Sequence, residues 1–226
     1  MTDKASIYTI AIIGGTGKEG KGLAYRWARA GHHVIIGSRS FEKAQAAVRF
    51  LDEMLVEPFD LRGMSNADAV KACDIAVVTV PYSAHRQTLE ALKPYLLDKI
   101  VIDVTVPLKP PKVTRVSMPP EGSAAQEAQA ILGKGARVVA AFQNISHERL
   151  LRQDEIECDV LVCGKGKEAR QIVLGLVTDA GLMGWDAGPI ENAVVIEGMT
   201  SILIGLNIQY KVPSSGIRIT GITKGK

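Results

Sequence analysis

Ile10-Ala11-Ile12-Ile13-Gly14-Gly15-Thr16-Gly17-Lys18-Glu19-Gly20 joins an apolar run to a helix-like segment through a G-x-G-x-x-G turn. A strand, such a turn and a helix in succession open a dinucleotide-binding βαβ unit. Each glycine of the pattern has a physical task. Gly15 allows the tight turn, Gly17 lets the backbone approach a pyrophosphate, and Gly20 lets the helix pack close to the strand. Free N–H groups and the helix dipole then face the anion.

The next apolar run, His33-Val34-Ile35-Ile36-Gly37, ends in Ser38-Arg39. At this place an NAD-binding domain carries Asp or Glu, which accepts hydrogen bonds from the ribose 2′-hydroxyl. A hydroxyl and a guanidinium fork suit a 2′-phosphate instead, so the sequence predicts NADP as cofactor. Lys43 lies about one turn into the following helix, and with Thr16 inside the glycine turn it is placed to reach the same phosphate. The candidate cofactor-binding set is Gly15, Thr16, Gly17, Lys18, Glu19 and Gly20 in the turn, Ser38, Arg39 and Lys43 beyond the second strand, and Val80 and Pro81 at the end of the fourth.

Outward from the turn, strands and helices alternate with short connections, the pattern of a parallel sheet covered on both faces. Strands are expected at Ile10–Ile13, His33–Gly37, Leu61–Met64, Ile75–Val80, Ile100–Asp103 and Arg137–Ala141. Helices are expected at Lys18–Ala30, at Ser40–Leu55, from Ser65-Asn66 to Cys73, at Ser83–Leu92 and at Ser123–Leu132. The fold class is α/β, a Rossmann-type doubly wound parallel sheet, with an NADP-binding domain over residues 1–150 and a small C-terminal α/β extension over 151–226. The extension holds a strand at Asp159–Gly164 and a helix at Lys167–Ala180. Trp185-Asp186-Ala187-Gly188-Pro189 then leads into a last helix, Glu191–Asn207. That helix has more apolar residues than one stripe needs, so it is expected to be buried or shared in a homodimer, with the extension forming part of the acceptor cleft.

The chain has 226 residues with 46% hydrophobic and 23% charged residues, a globular balance. No apolar run is expected to reach the roughly 18–20 residues of a membrane span. Met1-Thr2-Asp3-Lys4 leads straight to the first strand without a signal-peptide pattern, which points to the cytoplasm. Cys73, Cys158 and Cys163 lack metal or disulfide spacing and read as reduced, buried thiols. No metal site is expected, and a net charge of +3 does not point to nucleic acid.

In open α/β sheets the ligand lies outside the carboxyl ends of the strands. Three segments leave from such ends: Pro81-Tyr82, the stretch Val106–Pro120 with five prolines, and Phe142-Gln143-Asn144-Ile145. They are expected to wall the reaction site. Gln143, Asn144 and His85 are the candidate contacts to the hydride acceptor. His32 and His33, after the Gly31 cap, read as surface residues, and His147 as opening a short helix.

Taken in order, Gly14-Gly15-Thr16-Gly17 with Gly20-Lys21-Gly22, Gly37-Ser38-Arg39 with Glu42-Lys43, Cys73-Asp74-Ile75-Ala76-Val77 with Pro81, Val162-Cys163-Gly164 and Asp186-Ala187-Gly188-Pro189 resemble the NADP oxidoreductases that use the deazaflavin coenzyme F420. The resemblance spans nearly the whole chain. It implies hydride exchange between NADP(H) and coenzyme F420 as a small-molecule co-substrate. It also implies 2′-phosphate contacts at Thr16, Ser38, Arg39 and Lys43, and a homodimer or higher oligomer. The deazaflavin carries a phosphate and an acidic tail, for which Lys21, Lys109, Lys112 and Arg115 are candidate partners. In one place the chain departs from the family pattern: Gln143-Asn144-Ile145 stands where that pattern has a histidine, and an amide does not change charge near pH 7. Two other readings stay open: an NADPH-dependent reductase of a flavin, an imine or, through a flavin, ferric iron, and a non-catalytic NADP-sensing module.

Overall fold

Ile10, Ala11, Ile12 and Ile13 are fully buried, and their strand, β1 (Thr9–Ile13), lies inside the sheet. The computed structural model describes residues 6–55, 58–152 and 154–222, and the Met1-Thr2-Asp3-Lys4 stretch lies outside them. After the glycine turn come α1 (Lys18–Arg29), β2 (His33–Ser38), α2 (Phe41–Met54), β3 (Leu61–Ser65), α3 (Asn66–Ala72) and β4 (Ile75–Val78). Then follow α4 (Tyr82–Leu92), β5 (Ile100–Asp103), α5 (Ala124–Leu132), β6 (Arg137–Ala140) and the short α6 (His147–Leu150). The remainder is β7 (Asp159–Gly164), α7 (Lys167–Asp179), β8 (Met183–Gly188) and α8 (Ala193–Tyr210).

Local chemistry sets most of the helix starts. Ser40, Ser65 and Ser123 each accept a backbone N–H three residues on, from Lys43, Asp68 and Gln126, which satisfies one of the orphan donors of a helix start. α1 stops where Gly31 takes φ +93°, a conformation most side chains avoid.

The eight strands form one sheet in the order β3-β2-β1-β4-β5-β6-β7-β8. All neighbours pair in parallel except β6 and β7, which are antiparallel. Alternation along β1 feeds two apolar layers. Ile10 and Ile12 face Leu23 and Trp27 of α1, Leu51 of α2 and Leu176 of α7. Ala11 and Ile13 face Val70 of α3, Leu89 of α4, Ala125 of α5 and Ile196 of α8. Strand order reverses between β1 and β4, the switch point at which ligands bind in such sheets.

Several expectations change. Met183–Gly188 is a strand rather than a lead into the last helix, and it pairs in parallel with β7. The fourth strand ends at Val78 rather than Val80; the Thr79 N–H and hydroxyl both donate to the Ile13 carbonyl before the chain enters α4. The last helix runs on to Tyr210. With the turn before it, Ile190–Tyr210 is long and apolar enough to cross a bilayer, contrary to expectation, although a third of that stretch is buried inside the protein. His32 is buried rather than on the surface: its Nδ1 accepts from the Tyr8 N–H and its Nε2 meets Asp179 of α7 at 3.1 Å. His33 is half exposed and meets Asp60.

The later elements are fastened to the first ones chiefly through α1. Arg26 Nε donates to the Leu150 carbonyl at 2.8 Å and its Nη2 to those of Arg149 and Arg152. Trp27 Nε1 donates to the Leu176 carbonyl of α7.

Candidate active site

A cleft of about 700 Å³ opens at the switch point, within the range of small-molecule sites. Its floor is the glycine turn. Gly14 has φ +73°, and a Cβ there would lie 2.7 Å from Val80 Cγ1. A Cβ on Gly20 would lie 2.6 Å from Gly15 Cα, so the helix can approach the turn only as glycine. The first helical hydrogen bond of α1 comes from Lys21 N to Gly17 O. The N–H groups of Lys18, Glu19 and Gly20 therefore have no acceptor in the helix and are free for an anion.

Gly14, Thr16, Gly17, Lys18, Glu19, Ser38, Arg39, Lys43, Val80 and Pro81 all line this cleft. Gly15 and Gly20, at the packing positions, lie behind it. Arg39 and Lys43 are exposed, and neither side chain forms a hydrogen bond or ion pair with the described residues. Ser38 Oγ accepts from Ser40 N at 3.2 Å and keeps its own proton for another partner. Glu19 is the one acid in the floor; burial pushes its carboxyl up to about 8, which weakens its repulsion of an anion.

At the opposite end the walls are Tyr82, Ser83, Ala84 and Thr88 of α4, Val104 and Thr105 just after β5, and Val106, Leu108, Pro110 and Val113 of the proline stretch. Two of the three expected wall segments are thus present. The third, Phe142-Gln143-Asn144-Ile145, lies behind the wall. Phe142 has φ +73° and packs edge-on against Trp27 at 5.6 Å. Gln143 Nε2 donates to the Asp103 backbone carbonyl at 2.7 Å, and Asn144 Nδ2 donates to the Ile196 carbonyl and to Thr200 Oγ1. Gln143, Asn144 and His85 are all buried, and none of them lines the cleft.

His85 instead belongs to a buried network centred on Asp103. Both side chains are 0% exposed, with His85 Nε2 2.7 Å from Asp103 Oδ2. Burial works against a charged imidazole, but the Asp103 charge and hydrogen bond outweigh it and raise the His85 pKa, with Glu127 and Glu197 adding to the effect. Asp103 Oδ1 accepts from the Thr105 N–H at 3.0 Å. Around this pair, Tyr82 donates to Glu127 at 2.7 Å, and Arg86 meets Glu127 at 2.8 Å and Glu121 at 3.0 Å. Glu197 of α8 accepts from the N–H groups of Ala124 and Ala125 at the start of α5. Burial still holds its carboxyl up at about 8.

Sequence reasoning missed Asn66 and Thr105. Asn66 lines the cleft and its Oδ1 accepts from Gly14 N at 3.4 Å, whereas its sequence signal is only that of a helix start. Thr105 had no sequence signal. Among the described residues no cluster of His, Cys, Asp and Glu is arranged to hold a metal, and the three cysteines are free and buried.

The family described as "NADP oxidoreductase coenzyme F420-dependent" matches residues 9–107. The F420-dependent NADP reductase of Methanocaldococcus jannaschii is 42% identical over 94% of this chain and 98% of its own length. That of Methanothermobacter thermautotrophicus is 41% identical over 97% of each. A solved structure from Arthrobacter sp. fb24 covers 95% of this chain and 100% of its own, with a TM-score of 0.79 at 22% identity, a likeness of fold. By its sequence relatives along nearly the whole length, the chain belongs to the family of the F420-dependent NADP reductases.

Proposed function

We propose that this protein transfers a hydride between NADP(H) and the deazaflavin coenzyme F420. The observation that carries the NADP half is the pairing, in one cleft, of a glycine turn with free helix N–H groups and two cations, Arg39 and Lys43, that are unpaired among the described residues, beside Ser38. The names of the relatives supply the acceptor.

NADPH would supply the hydride when bound, and the protein supplies binding, orientation and a dry site. The glycine turn and first turn of α1 receive the pyrophosphate, while Thr16, Ser38, Arg39 and Lys43 receive the 2′-phosphate. At the other end Val80, Pro81, Val104, Val106, Leu108 and Val113 form apolar walls that exclude water from the two rings. Such a reaction needs no general acid or base, only reacting atoms held about 3–3.5 Å apart. Gln143 acts behind the wall, by fixing the end of β5, which accounts for an amide at this place.

We propose further that two copies pair through α8. Its outer face exposes Val194, Val195, Ile202, Leu206, Ile208 and Tyr210, an apolar patch of the kind that marks protein interfaces. The cytoplasm suits the three free thiols.

The deciding experiment mixes protein, NADPH and oxidised coenzyme F420 in a stopped-flow instrument, with FMN in a parallel run. Loss of the deazaflavin absorbance without FMN turnover is expected. Turnover of FMN alone, or of neither, overturns the proposal.

A further inference from the structure

The cleft runs along the strand ends in the order β2, β1, β4, β5. With the 2′-phosphate beyond β2 and the pyrophosphate at the turn after β1, the next part of a dinucleotide along this row is the nicotinamide ring, at β4 and β5. Three of the hydroxyl groups at that end are committed, and that of Ser83 belongs to an exposed residue that water can reach. Thr79 Oγ1 donates to the Ile13 carbonyl, Thr88 Oγ1 to the Ala84 carbonyl, and the Tyr82 hydroxyl to Glu127. Thr105 differs: it lines the cleft, is 5% exposed, and its Oγ1 is buried with no partner among the described residues. A hydroxyl buried without a hydrogen bond is costly, and its neighbours Val104, Val106 and Leu108 offer none through their side chains.

The backbone that carries this hydroxyl is unusually well held. Thr105 N donates to Asp103 Oδ1, His85 grips Asp103 Oδ2, and Gln143 donates to the Asp103 carbonyl. One local bond and two from distant segments therefore converge on Asp103 and fix the backbone just before Thr105. His85 Nδ1 and Gln143 Oε1 also lack partners among the described residues, but both lie behind the wall, and neither residue lines the cleft. A threonine hydroxyl both donates and accepts, which matches a primary amide.

We propose that Thr105 is a cofactor contact whose hydroxyl hydrogen-bonds the carboxamide of the nicotinamide ring and so sets the plane in which that ring is presented to the acceptor. The proposal rests on the NADP reading of the cleft given above, and it assigns to a residue outside the glycine turn and the phosphate pocket the orientation of the reacting ring.

The test compares Thr105→Val, which keeps the shape and removes the hydroxyl, with Thr105→Ser, which restores it; Thr105→Ala replaces the valine variant if that does not fold. Two ligands separate the ends of the cleft: NADPH, and adenosine 2′,5′-bisphosphate, which ends before the nicotinamide. Thr105→Val is expected to weaken NADPH and slow single-turnover hydride transfer to coenzyme F420 by about tenfold, with adenosine 2′,5′-bisphosphate affinity unchanged and Thr105→Ser close to wild type. Wild-type behaviour of Thr105→Val with NADPH in both binding and transfer would overturn the assignment, as would equal weakening of both ligands, which marks a structural role. Failure of the wild-type protein to bind adenosine 2′,5′-bisphosphate at all would instead overturn the NADP reading beneath it.

Discussion

Arg39→Asp tests the cofactor assignment most directly, because the structure separates its effect on binding from its effect on folding. Arg39 is exposed, lines the cleft and makes no hydrogen bond or ion pair with the described residues. Replacing it leaves no buried partner unsatisfied, so stability should stay within about 0.5 kcal/mol of wild type. A hydrogen bond to a charged group is worth roughly 1.5–3 kcal/mol. Arg39 is solvated and Lys43 remains to share the phosphate, so the lower part of that range applies, about tenfold in affinity. The new carboxylate adds repulsion of about 1 kcal/mol at 4 Å in water, a further factor of roughly five. The NADPH dissociation constant should therefore rise about 50-fold. NADH, with a ribose hydroxyl that a carboxylate can accept, should change by no more than about twofold or bind more tightly. Isothermal titration at fixed ionic strength measures both. A salt series gives an independent check, since the wild-type preference for NADPH should shrink as the Debye length falls from about 10 Å at 0.1 M to about 3 Å at 1 M. Equal weakening of NADH and NADPH would refute the reasoning and make Arg39 a structural residue.

Arg26→Met removes donors to the carbonyls of Leu150, Arg149 and Arg152; it should destabilise the fold by about 2–3 kcal/mol, read from urea unfolding, and an unchanged midpoint would show the clamp to be idle. Glu197, with its pKa raised by burial to about 8, contributes stability that is present below its ordinary carboxyl range and is lost as pH rises towards 8. Glu19 shifts in the same direction for the same reason. The melting temperature should fall between about pH 5 and pH 8, more steeply in wild type than in Glu197→Gln, and parallel curves would contradict the assignment. Ile202→Lys, on the exposed face of α8, should convert a dimer to monomer in sedimentation velocity without lowering NADPH affinity; a wild-type sedimentation coefficient would move the interface elsewhere.

The parts of this fold legible in the sequence are those that local chemistry specifies. The glycine turn, the serine caps of α2, α3 and α5, and the apolar β4 each depend on residues within a few positions. β8 was not legible because Met-Gly-Trp-Asp-Ala-Gly lacks alternation and β-branched residues. Its strand form comes from pairing with β7, and β7 itself joins the sheet by turning antiparallel to β6. Nothing within either segment encodes that pairing. His32 looked like a surface residue because its partners Tyr8 and Asp179 lie 24 and 147 positions away.

The same division runs through the cleft, and it explains why one end could be read and the other could not. The proposed phosphate end is built from consecutive residues after β1 and β2, where strand and turn already fix which side chains face the cleft. The redox end depends on residues that meet only after the sheet has formed: Asp103 from β5, His85 from α4, Gln143 beyond β6 and Glu197 from α8. α8 ties this end to the outer surface. Its inner residues bind the start of α5 through Glu197 and the Gln143 carbonyl through Thr200, while its outer residues form the exposed apolar face. A helix that touches the Asp103 network on one side and is proposed to meet a second subunit on the other makes the acceptor end the part of the cleft most dependent on assembly. Binding of the NADP phosphates, which we propose is the work of the first half of the chain, should be indifferent to it.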